Sequence, residues 1–277
     1  MSEPESSDDA RDERVVEADE SGDAAAFMDM SLLATAARQA GVRLTGADLS
    51  RFGQYGTFLL RENATMNLTA ITDPAAVQLR HFADSLTVLP LLDEYIRRIG
   101  GDVAMLSTIR VVDVGSGAGF PGIPIALVRS RVAVTLIEAT GKKVAFLRRV
   151  ADALDLPNIT ALTLRAEDAG HDPTLREGAD FVTARAVARL SVLAEYCLPL
   201  LRRGGIMVAL KSGDLTDELA EGTRAAALLG GSPPIVMPVP VPELAGHVLV
   251  QIEKTDDTTG MYPRRPGVPA KHPLGVM

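Results

Sequence analysis

Residues 111–124 read Val-Val-Asp-Val-Gly-Ser-Gly-Ala-Gly-Phe-Pro-Gly-Ile-Pro, and this stretch decides how the rest of the 277-residue chain is interpreted. A β-branched run comes first, four glycines fall within the next few residues, and an apolar segment follows. This order predicts a strand, a tight loop and a helix. Glycine lets a backbone approach a ligand closely, and a helix N-terminus presents free N–H groups. The loop therefore predicts a site for a nucleotide-bearing cofactor.

The loop is compatible with two kinds of cofactor. Gly117, Gly119 and Gly122 satisfy the G-x-G-x-x-G pattern of dinucleotide sites. Asp113, however, ends the strand where a pyrophosphate would be repelled and where a sulfonium or ammonium group would be attracted. Glu138 ends the next predicted strand, where an acid can hold both ribose hydroxyls. These acids favour S-adenosylmethionine and leave a nicotinamide-dependent oxidoreductase and a purely structural glycine turn as alternatives.

The net charge of −8 is concentrated at the N-terminus. Residues 1–24 hold ten acidic and two basic residues, so the remaining chain has 26 of each and is neutral. Because this start has almost no apolar content, residues 1–26 are predicted to be a disordered acidic tail. The neutral body neither supports nor excludes a polyanionic partner.

Composition also bears on compartment and metals. The sequence has no apolar run long enough to span a bilayer and no signal-peptide pattern, so no membrane association and a cytoplasmic location are expected. One cysteine and four scattered histidines predict neither disulfides nor a metal site. No obligate protein partner is inferred.

The chain divides into a helical part and an alternating part. Residues 27–105 are expected to form an N-terminal helical subdomain, with helices ending near Gly41, spanning about 47–62, and starting at Asp73-Pro74. Strands and helices alternate in residues 106–254, and residues 255–277 form a basic C-terminal tail. Strands are predicted at 110–114, 132–137, 158–164, 179–184, 205–211, 235–240 and 247–253, and the main helices at 142–154, 189–203 and 214–229.

This alternation predicts an α/β fold: a Rossmann-like, mostly parallel sheet with helices on both faces. A short proline-rich turn separates the last two strands, which therefore form an antiparallel edge hairpin. Ligands of such sheets bind beyond the carboxyl ends of the strands. Asp113, Glu138, 165–167 and 183–185 are thus expected around one crevice.

Five ordered blocks resemble the GidB (RsmG) family of bacterial 16S ribosomal RNA guanine-N7 methyltransferases. The first is the loop at 113–124. The others are Asn-Leu-Thr-Ala (67–70), Arg-His-Phe-Ala-Asp-Ser-Leu (80–86), Arg-Ala-Glu-Asp (165–168) and Ala-Arg-Ala-Val-Ala (184–188), and the C-terminal Tyr-Pro-Arg-Arg (262–265) with Pro-Ala-Lys (269–271) is similar to the family's basic end. The resemblance runs from about residue 30 to the end. It departs at Ser212, which separates Lys211 from Gly213.

The resemblance implies a class I methyltransferase fold, S-adenosylmethionine as cofactor, and 16S ribosomal RNA or the small ribosomal subunit as partner, with the guanine at nucleotide 527 as target. It also implies that Gly115 and Phe120 line the cofactor, that Ala166 and Glu167 contact its adenine side, and that Arg185 completes the pocket. With Gly117 and Glu138, these residues form the predicted cofactor site. Two assignments stay open, because Arg185 could instead pair with a neighbouring acid and Glu167 could instead cap a helix.

The acceptor chemistry agrees with guanine N7. This nitrogen has an exposed lone pair, so in-line transfer needs alignment and no prior proton removal, and no general base is assigned. The loop after the fourth strand reads Thr-Ala-Arg-Ala (183–186) and lacks the Pro-Pro-aromatic pattern of amino methyltransferases. Cys197 falls on an apolar helical stripe, which predicts core packing rather than the nucleophile of pyrimidine methylation.

Several polar residues are predicted to bind RNA as a rim around the crevice. They are Asn67, Arg80, His81, Arg264, Arg265 and Lys271. Asn67 could instead cap the following helix, and His81 could be a hydrogen-bonded structural residue. A non-catalytic RNA-binding or ribosome assembly factor remains the alternative to an enzyme.

Overall fold

The computed structural model describes residues 28–100, 109–186 and 188–276. The predicted acidic tail (1–26) and the predicted boundary between the helical and alternating parts, at 105–106, lie outside the described residues. None of the helices in the described part of the chain is long and apolar enough to cross a membrane.

The N-terminal part is helical, as predicted. Its elements are α1 (Ser31–Gln39), α2 (Gly46–Met66), α3 (Pro74–Val77), a π-helical segment (Gln78–Ala83), α4 (Asp84–Leu86) and α5 (Leu89–Arg98). Thr45 begins α2 with a capping box to Asp48, and the Asp73 side chain accepts a hydrogen bond from Ala76 N to begin α3. Helix α2 runs one turn beyond the predicted end and stops at Asn67, which adopts the left-handed conformation.

The alternating part forms one seven-stranded sheet. Its strands are β1 (Arg110–Val114), β2 (Ala133–Glu138), β3 (Ile159–Thr163), β4 (Ala179–Arg185), β5 (Leu201–Ser212), β6 (Ile235–Pro238) and β7 (His247–Glu253). Their order is β3-β2-β1-β4-β5-β7-β6. The first five strands pair in parallel, whereas β7 is antiparallel to β5 and β6. The predicted mostly parallel sheet with an antiparallel edge hairpin is confirmed.

Helices follow the strands in the expected order: α6 (Gly122–Val128), α7 (Gly141–Ala153), α8 (Ala166–Ala169), α9 (Leu190–Cys197), α10 (Thr216–Leu228) and the C-terminal α11 (Val268–Lys271). The prediction of one helix over 189–203 is wrong at its end. A 3₁₀ turn with Pro199 follows α9, and the chain enters β5 at Leu201. Proline cannot continue the i to i−4 hydrogen-bond ladder, and Gly204, at φ +78°, gives the bend that the strand needs.

Two apolar cores lie on the two faces of the sheet. Neighbouring residues of β1 show the alternation, because Val111 packs with α1–α7 while Val112 packs with α9 and α10. The N-terminal helices thus share one continuous core with the sheet. This packing holds the π-helical segment next to the carboxyl end of β4, which is the edge where the predicted site residues lie.

Residues 255–276 pack on the body of the protein. The Arg176 guanidinium donates to the carbonyl oxygens of Gly170, Thr258 and Tyr262 at 2.6–2.8 Å. Lys254 is fully buried and donates to Leu198 O at 2.9 Å and to Thr258 Oγ1. The C-terminal segment is thereby attached beside α8 and α9.

Candidate active site

The glycine loop joins β1 to α6 and forms one wall of a cleft of about 540 Å³. Gly115 N and Ser116 N both donate to Ile137 O, at 2.8 and 3.1 Å, which holds the loop against the end of β2. Gly117 has φ +58°, which disfavours a side chain at this position. A Cβ on Gly122 would lie 2.2 Å from Leu136 Cδ2, so only glycine lets α6 pack this closely on the sheet.

Asp113 lies beneath the loop rather than in the cleft. Its carboxylate is fully buried, where it accepts hydrogen bonds from Gly122 N at 3.1 Å and Thr183 Oγ1 at 3.2 Å. Burial raises the pKa of Asp113 to about 6, against the opposing effect of these hydrogen bonds. The expectation that Asp113 faces a cationic cofactor is therefore wrong, because this acid holds the start of α6 against β4.

Glu138 ends β2 and lines the cleft, as its position in the sequence suggested. Its two carboxylate oxygens accept from Gly117 N at 3.1 Å and Thr140 N at 2.8 Å. The residue is buried, and these two hydrogen bonds fix the orientation in which the acid borders the cleft. It lies directly beside the backbone of the glycine loop.

At its other end, the wall of the cleft that contains the glycine loop is formed by α8 and the C-terminal segment. Ala166 and Glu167 both line the cleft, and Gly267 and Tyr196 lie beside them. Glu167 Oε1 accepts from Gly267 N at 2.8 Å. Glu167 lies in the first turn of α8 but makes no capping bond to it, and its carboxylate instead accepts from the C-terminal segment and, at 3.4 Å, from the Tyr196 hydroxyl of α9.

The second wall of the cleft consists of Leu68, Thr69, His81, Phe120 and Arg185, and we call it the His81 wall. The Phe120 ring stacks on the imidazole of His81 at 4.5 Å between centroids and 15° between planes. The Arg185 guanidinium carbon lies 4.9 Å from the centre of the same ring, a cation–π distance.

Arg185 connects the end of β4 to the π-helical segment and α4. Nη1 donates to Arg80 O at 2.7 Å and pairs with Asp84 Oδ2 at 3.3 Å, and Nη2 contacts His81 Nδ1 at 2.9 Å. The other oxygen of Asp84 lies 2.9 Å from His247 Nδ1. Both readings of Arg185 are therefore correct in part, since the residue pairs with an acid and also lines the cleft.

His81 is held neutral with a defined tautomer. Because a guanidinium can only donate, Nδ1 must accept from Arg185 and the ring hydrogen must lie on Nε2, which contacts Thr69 Oγ1 at 2.7 Å. Burial lowers the pKa of His81 to about 4, and the positive charge of Arg185 adds to this shift. His81 is thus a buried, hydrogen-bonded component of the wall, which is the structural alternative that the sequence left open beside an RNA contact.

Of the other residues predicted to bind RNA, most have exposed side chains and one forms an ion pair inside the protein. Asn67, Arg80, Arg265 and Lys271 are exposed. Asn67 ends α2 and Asp73 caps the following helix, so the alternative role of Asn67 as that cap is wrong. Arg264 also departs from expectation, because its guanidinium clasps the fully buried Glu195 at 2.6–2.9 Å. Its charge is used inside the protein to attach the C-terminal segment to α9.

Two further residues singled out from the sequence have structural roles. Lys211 donates to Ala188 O at 2.9 Å and pairs with Glu218 of α10. Cys197 is fully buried, and burial raises the pKa of its thiol. A buried thiol of raised pKa supplies little thiolate, in agreement with the prediction of core packing.

Sequence reasoning missed several residues that build the His81 wall. Asn63 is buried and holds Thr69 through Thr69 N and Thr69 O, both at 2.9 Å. Asp84 and His247 complete the charge network behind Arg185. Asp84 lies inside the block at 80–86 and could have been found there, whereas Asn63 and His247 stand alone in the sequence.

The cleft fits S-adenosylmethionine in its donor set and shape. Glu138 offers an acid for ribose hydroxyls, and the φ of +58° at Gly117 favours a glycine, so the loop presents bare backbone to the cleft at this position. Leu164, Ala166 and Ile137 provide apolar surface for a purine ring. The sheet order, the loop and this acid together define a Rossmann-like, S-adenosylmethionine-dependent methyltransferase.

Comparison with known proteins defines the family. Residues 48–239 match the GidB model, described as rRNA small subunit methyltransferase G. A ribosomal RNA small subunit methyltransferase G from Roseiflexus sp. (strain RS-1) is 44% identical over 88% of this chain and 100% of its own length, and one from Exiguobacterium sp. (strain ATCC BAA-1283 / AT1b) is 41% identical over 89% and 100%. The chain belongs to the GidB family.

A solved structure supports the fold independently. The crystal structure of an S-adenosylmethionine-dependent O-methyltransferase from Thermotoga maritima matches with a TM-score of 0.50 and 16% identity, covering 73% of this chain and 72% of that one. At this identity the likeness shows the common fold and nothing about the acceptor.

Proposed function

We propose that this protein transfers the methyl group of S-adenosylmethionine to N7 of a guanine in 16S ribosomal RNA, with nucleotide 527 as the target implied by the family resemblance. The family membership supports the ribosomal RNA substrate. The state of the His81 wall supports the acceptor atom. We also propose the cytoplasm as the compartment, because a ribosomal substrate is found there.

The observation that carries the choice of N7 is that His81 is not available as a base. Its Nδ1 faces the Arg185 guanidinium and its Nε2 faces Thr69, and the pKa of about 4 reflects burial beside a cation. Guanine N7 carries a free lone pair and needs no deprotonation before attack. An amino group or a hydroxyl acceptor would have to lose a proton.

When bound, S-adenosylmethionine supplies an electrophilic methyl group on a sulfonium. The protein's contribution is to align the acceptor with that methyl group, and such positioning lowers a barrier by roughly 7–11 kcal/mol. Glu138 would hold the ribose, Gly115 and Gly117 would let the backbone approach the cofactor, and Ala166 and Glu167 would border the adenine. Phe120 and Arg185 would complete the cofactor pocket, and the acceptor base would lie against the same His81 wall.

RNA binding is assigned to the exposed polar side chains beside the cleft. Arg80 stands on the π-helical segment, and Arg265 and Lys271 stand on the C-terminal segment that borders the cleft through Gly267. Asn67 lies one residue before Leu68 of the His81 wall. These side chains contact phosphates or loop bases, and they set affinity rather than the reacting atom.

The deciding assay uses methyl-labelled S-adenosylmethionine with naked 16S RNA and with small ribosomal subunits. We expect label in the RNA, recovered after nuclease digestion as N7-methylguanosine. A Gly115→Arg variant is expected to lose turnover and keep RNA binding. Label in protein, or in a different base, contradicts the proposal. If the Gly115→Arg variant lost methylation but kept its biological function, the assembly-factor alternative would be favoured.

A ligand-shift measurement separates the remaining rival. S-adenosylhomocysteine is expected to raise the melting temperature, since a ligand that binds only the folded state stabilises it. NADH is expected to leave it unchanged. Protection by NADH and none by S-adenosylhomocysteine would favour the nicotinamide-dependent oxidoreductase.

A further inference from the structure

The Thr69 side chain is presented to the cleft by a rigid support. Thr69 N and Thr69 O are both bonded to the Asn63 amide, which is itself buried near the end of α2. The next residues of the loop are fixed as well, because Ile71 N donates to Thr69 Oγ1 at 3.0 Å. Thr69 lies in the His81 wall together with Phe120 and Arg185.

The hydroxyl of Thr69 can act only as a donor toward a ligand. A hydroxyl has two lone pairs and one hydrogen. Ile71 N–H takes one lone pair, and the Nε2–H of His81 takes the other, since Arg185 forces the ring hydrogen onto Nε2. Among the described residues, no acceptor is resolved for the hydroxyl hydrogen, and the side chain borders the cleft.

A fixed donor at this place distinguishes the purines. Beside N7, guanine presents the acceptor O6, whereas adenine presents the N6 amino donor. A hydroxyl whose lone pairs are both taken can donate to O6 but cannot accept from N6. Adenine would leave two donors facing each other and neither satisfied, which is costly in a desolvated site.

The charge around this donor also suits the reaction. Methylation at N7 makes the base cationic, and a protonated histidine at this point would oppose that change. His81 is neutral, and the charge of Arg185 is offset by Asp84 at 3.3 Å. The hydroxyl thus orients the base without adding net positive charge to the wall.

We infer that Thr69 reads O6 of the target guanine and so presents N7 to the methyl group. This inference rests on the proposed function and adds to it the residue that selects guanine over adenine. His81 and Asn63 are positioning residues, since they act through Thr69: His81 fixes the direction of the hydroxyl and Asn63 fixes its place.

The first test deletes the hydroxyl. Thr69→Val is expected to lower kcat/KM for methylation of small subunits by about 10- to 100-fold, the range of one good base contact. Its affinity for S-adenosylhomocysteine should stay within about twofold of wild type, and Thr69→Ser should restore most of the turnover. Thr57→Val is the matched control, because the Thr57 hydroxyl donates to Gly53 O on α2 and Thr57 does not border the cleft.

The second test changes the base and separates this inference from loss of folding. 2-Aminopurine keeps N7 and lacks O6, and it can be ligated into 16S RNA at the target position. The quantity compared is the ratio of kcat/KM for guanine to kcat/KM for 2-aminopurine. We expect this ratio to be about tenfold or more larger in wild type than in Thr69→Val, because Thr69→Val and 2-aminopurine remove the same contact. Equal preference in the two proteins overturns the role of Thr69 and leaves N7 methylation standing. A wild-type protein that methylates no guanine N7 overturns the proposed function itself.

Discussion

Glu138 is the residue on which we expect cofactor affinity to depend most directly. Its oxygens are held by Gly117 N and Thr140 N, so the carboxylate is oriented before a ligand arrives. Glu138→Gln removes the charge and places an amide donor opposite one of these N–H groups. We expect S-adenosylhomocysteine affinity to fall about 10- to 100-fold, the worth of a charged hydrogen bond, in a calorimetric titration.

The control for this change is Glu62→Gln. Glu62 pairs with Arg149 at 2.6 Å and does not line the cleft. Its affinity for S-adenosylhomocysteine should match that of wild type. An unchanged affinity in Glu138→Gln would remove this acid from the cofactor site.

The low pKa of His81 should make the free energy of unfolding depend on pH. Its pKa is about 4 in the folded state and about 6.5 in an unfolded chain, so the unfolded state binds more protons between these values. The contribution of His81 is fully present above pH about 6.5 and is lost as the pH falls towards 4. Asp113, whose folded pKa is raised to about 6, acts in the opposite direction over an overlapping window.

A comparison with His81→Gln isolates this contribution. The difference in free energy of unfolding between wild type and variant, measured by urea denaturation from pH 4 to 8, should increase with pH up to about 6.5 and then level off. An NMR titration should show the His81 imidazole of the folded protein no more than about one-tenth protonated above pH 5. A His81 that titrates near 6.5 in the folded state contradicts the buried, Arg185-bonded assignment.

Residue type predicted some site residues and missed others for a physical reason. Glu138 was found because an acid ending the second strand has few other roles. Asp113 was placed wrongly because the side of the loop that a carboxylate faces depends on Gly122 and Thr183, which are distant in sequence. Arg264 was misread in the same way, since its buried partner Glu195 has no local sequence signal.

At the scale of elements, two glycines of the glycine loop are required for different structural reasons. A Cβ on Gly122 would meet Leu136 at 2.2 Å and Asp113 at 2.9 Å, inside the packing between α6 and the sheet. A Cβ on Gly117 would meet only Gly115 O at 3.8 Å, at a positive φ. Position 122 therefore requires glycine because no side chain fits between α6 and the sheet. Position 117 favours glycine because its backbone adopts the left-handed conformation beside the cleft.

This difference gives a paired prediction. Gly122→Ala should cost about 1–3 kcal/mol or more by overpacking. Gly117→Ala should cost only about 1–2 kcal/mol from the left-handed conformation, yet lower S-adenosylhomocysteine affinity at least tenfold. Thermal melts with and without ligand measure both. Normal ligand protection in Gly117→Ala would mean that the loop does not contact the cofactor.

The C-terminal segment is an element of the site rather than a free tail. Arg264 holds it to the buried Glu195, and Gly267 N donates to Glu167 in the cleft. Arg264→Met leaves a buried carboxylate without its cation, which should destabilise the protein by about 3–5 kcal/mol and weaken ligand binding. The double variant Arg264→Met, Glu195→Leu should recover most of that stability in urea denaturation. A single variant as stable as wild type would contradict this attachment.

Element boundaries show where the pattern of apolar residues was sufficient. Strands β1 to β4 match their predicted ranges within one residue at each end, because short apolar runs flanked by turn residues leave little choice. The end of α9 was missed because Leu198–Leu201 is as apolar as the helix before it. The π-helical turn at Gln78–Ala83 has no sequence signal either, although it directs His81 and Arg80 to the site.

At the scale of the whole molecule, the alternation of strands and helices predicted the sheet and its carboxyl edge, which is where the cleft lies. The pattern of apolar residues does not predict how the N-terminal helices pack on the sheet. Phe82 and Tyr55 lie in the same core as Phe120 and Val111, so the π-helical segment that carries His81 and helix α2, which precedes the loop of Thr69, are fixed against the glycine loop. Three of the residues that line the cleft, Leu68, Thr69 and His81, thus come from the N-terminal part rather than from the alternating part.

The most direct test of the central claim is the chemical identity and position of the methyl group. After incubation of small ribosomal subunits with the protein and S-adenosylmethionine, the 16S RNA is reduced with borohydride and treated with aniline, which cleaves the chain at N7-methylguanine. We predict one new cleavage, at the guanine at nucleotide 527, that requires the cofactor and is absent with Gly115→Arg. Methyl incorporation without cleavage at any guanine would contradict N7 as the acceptor.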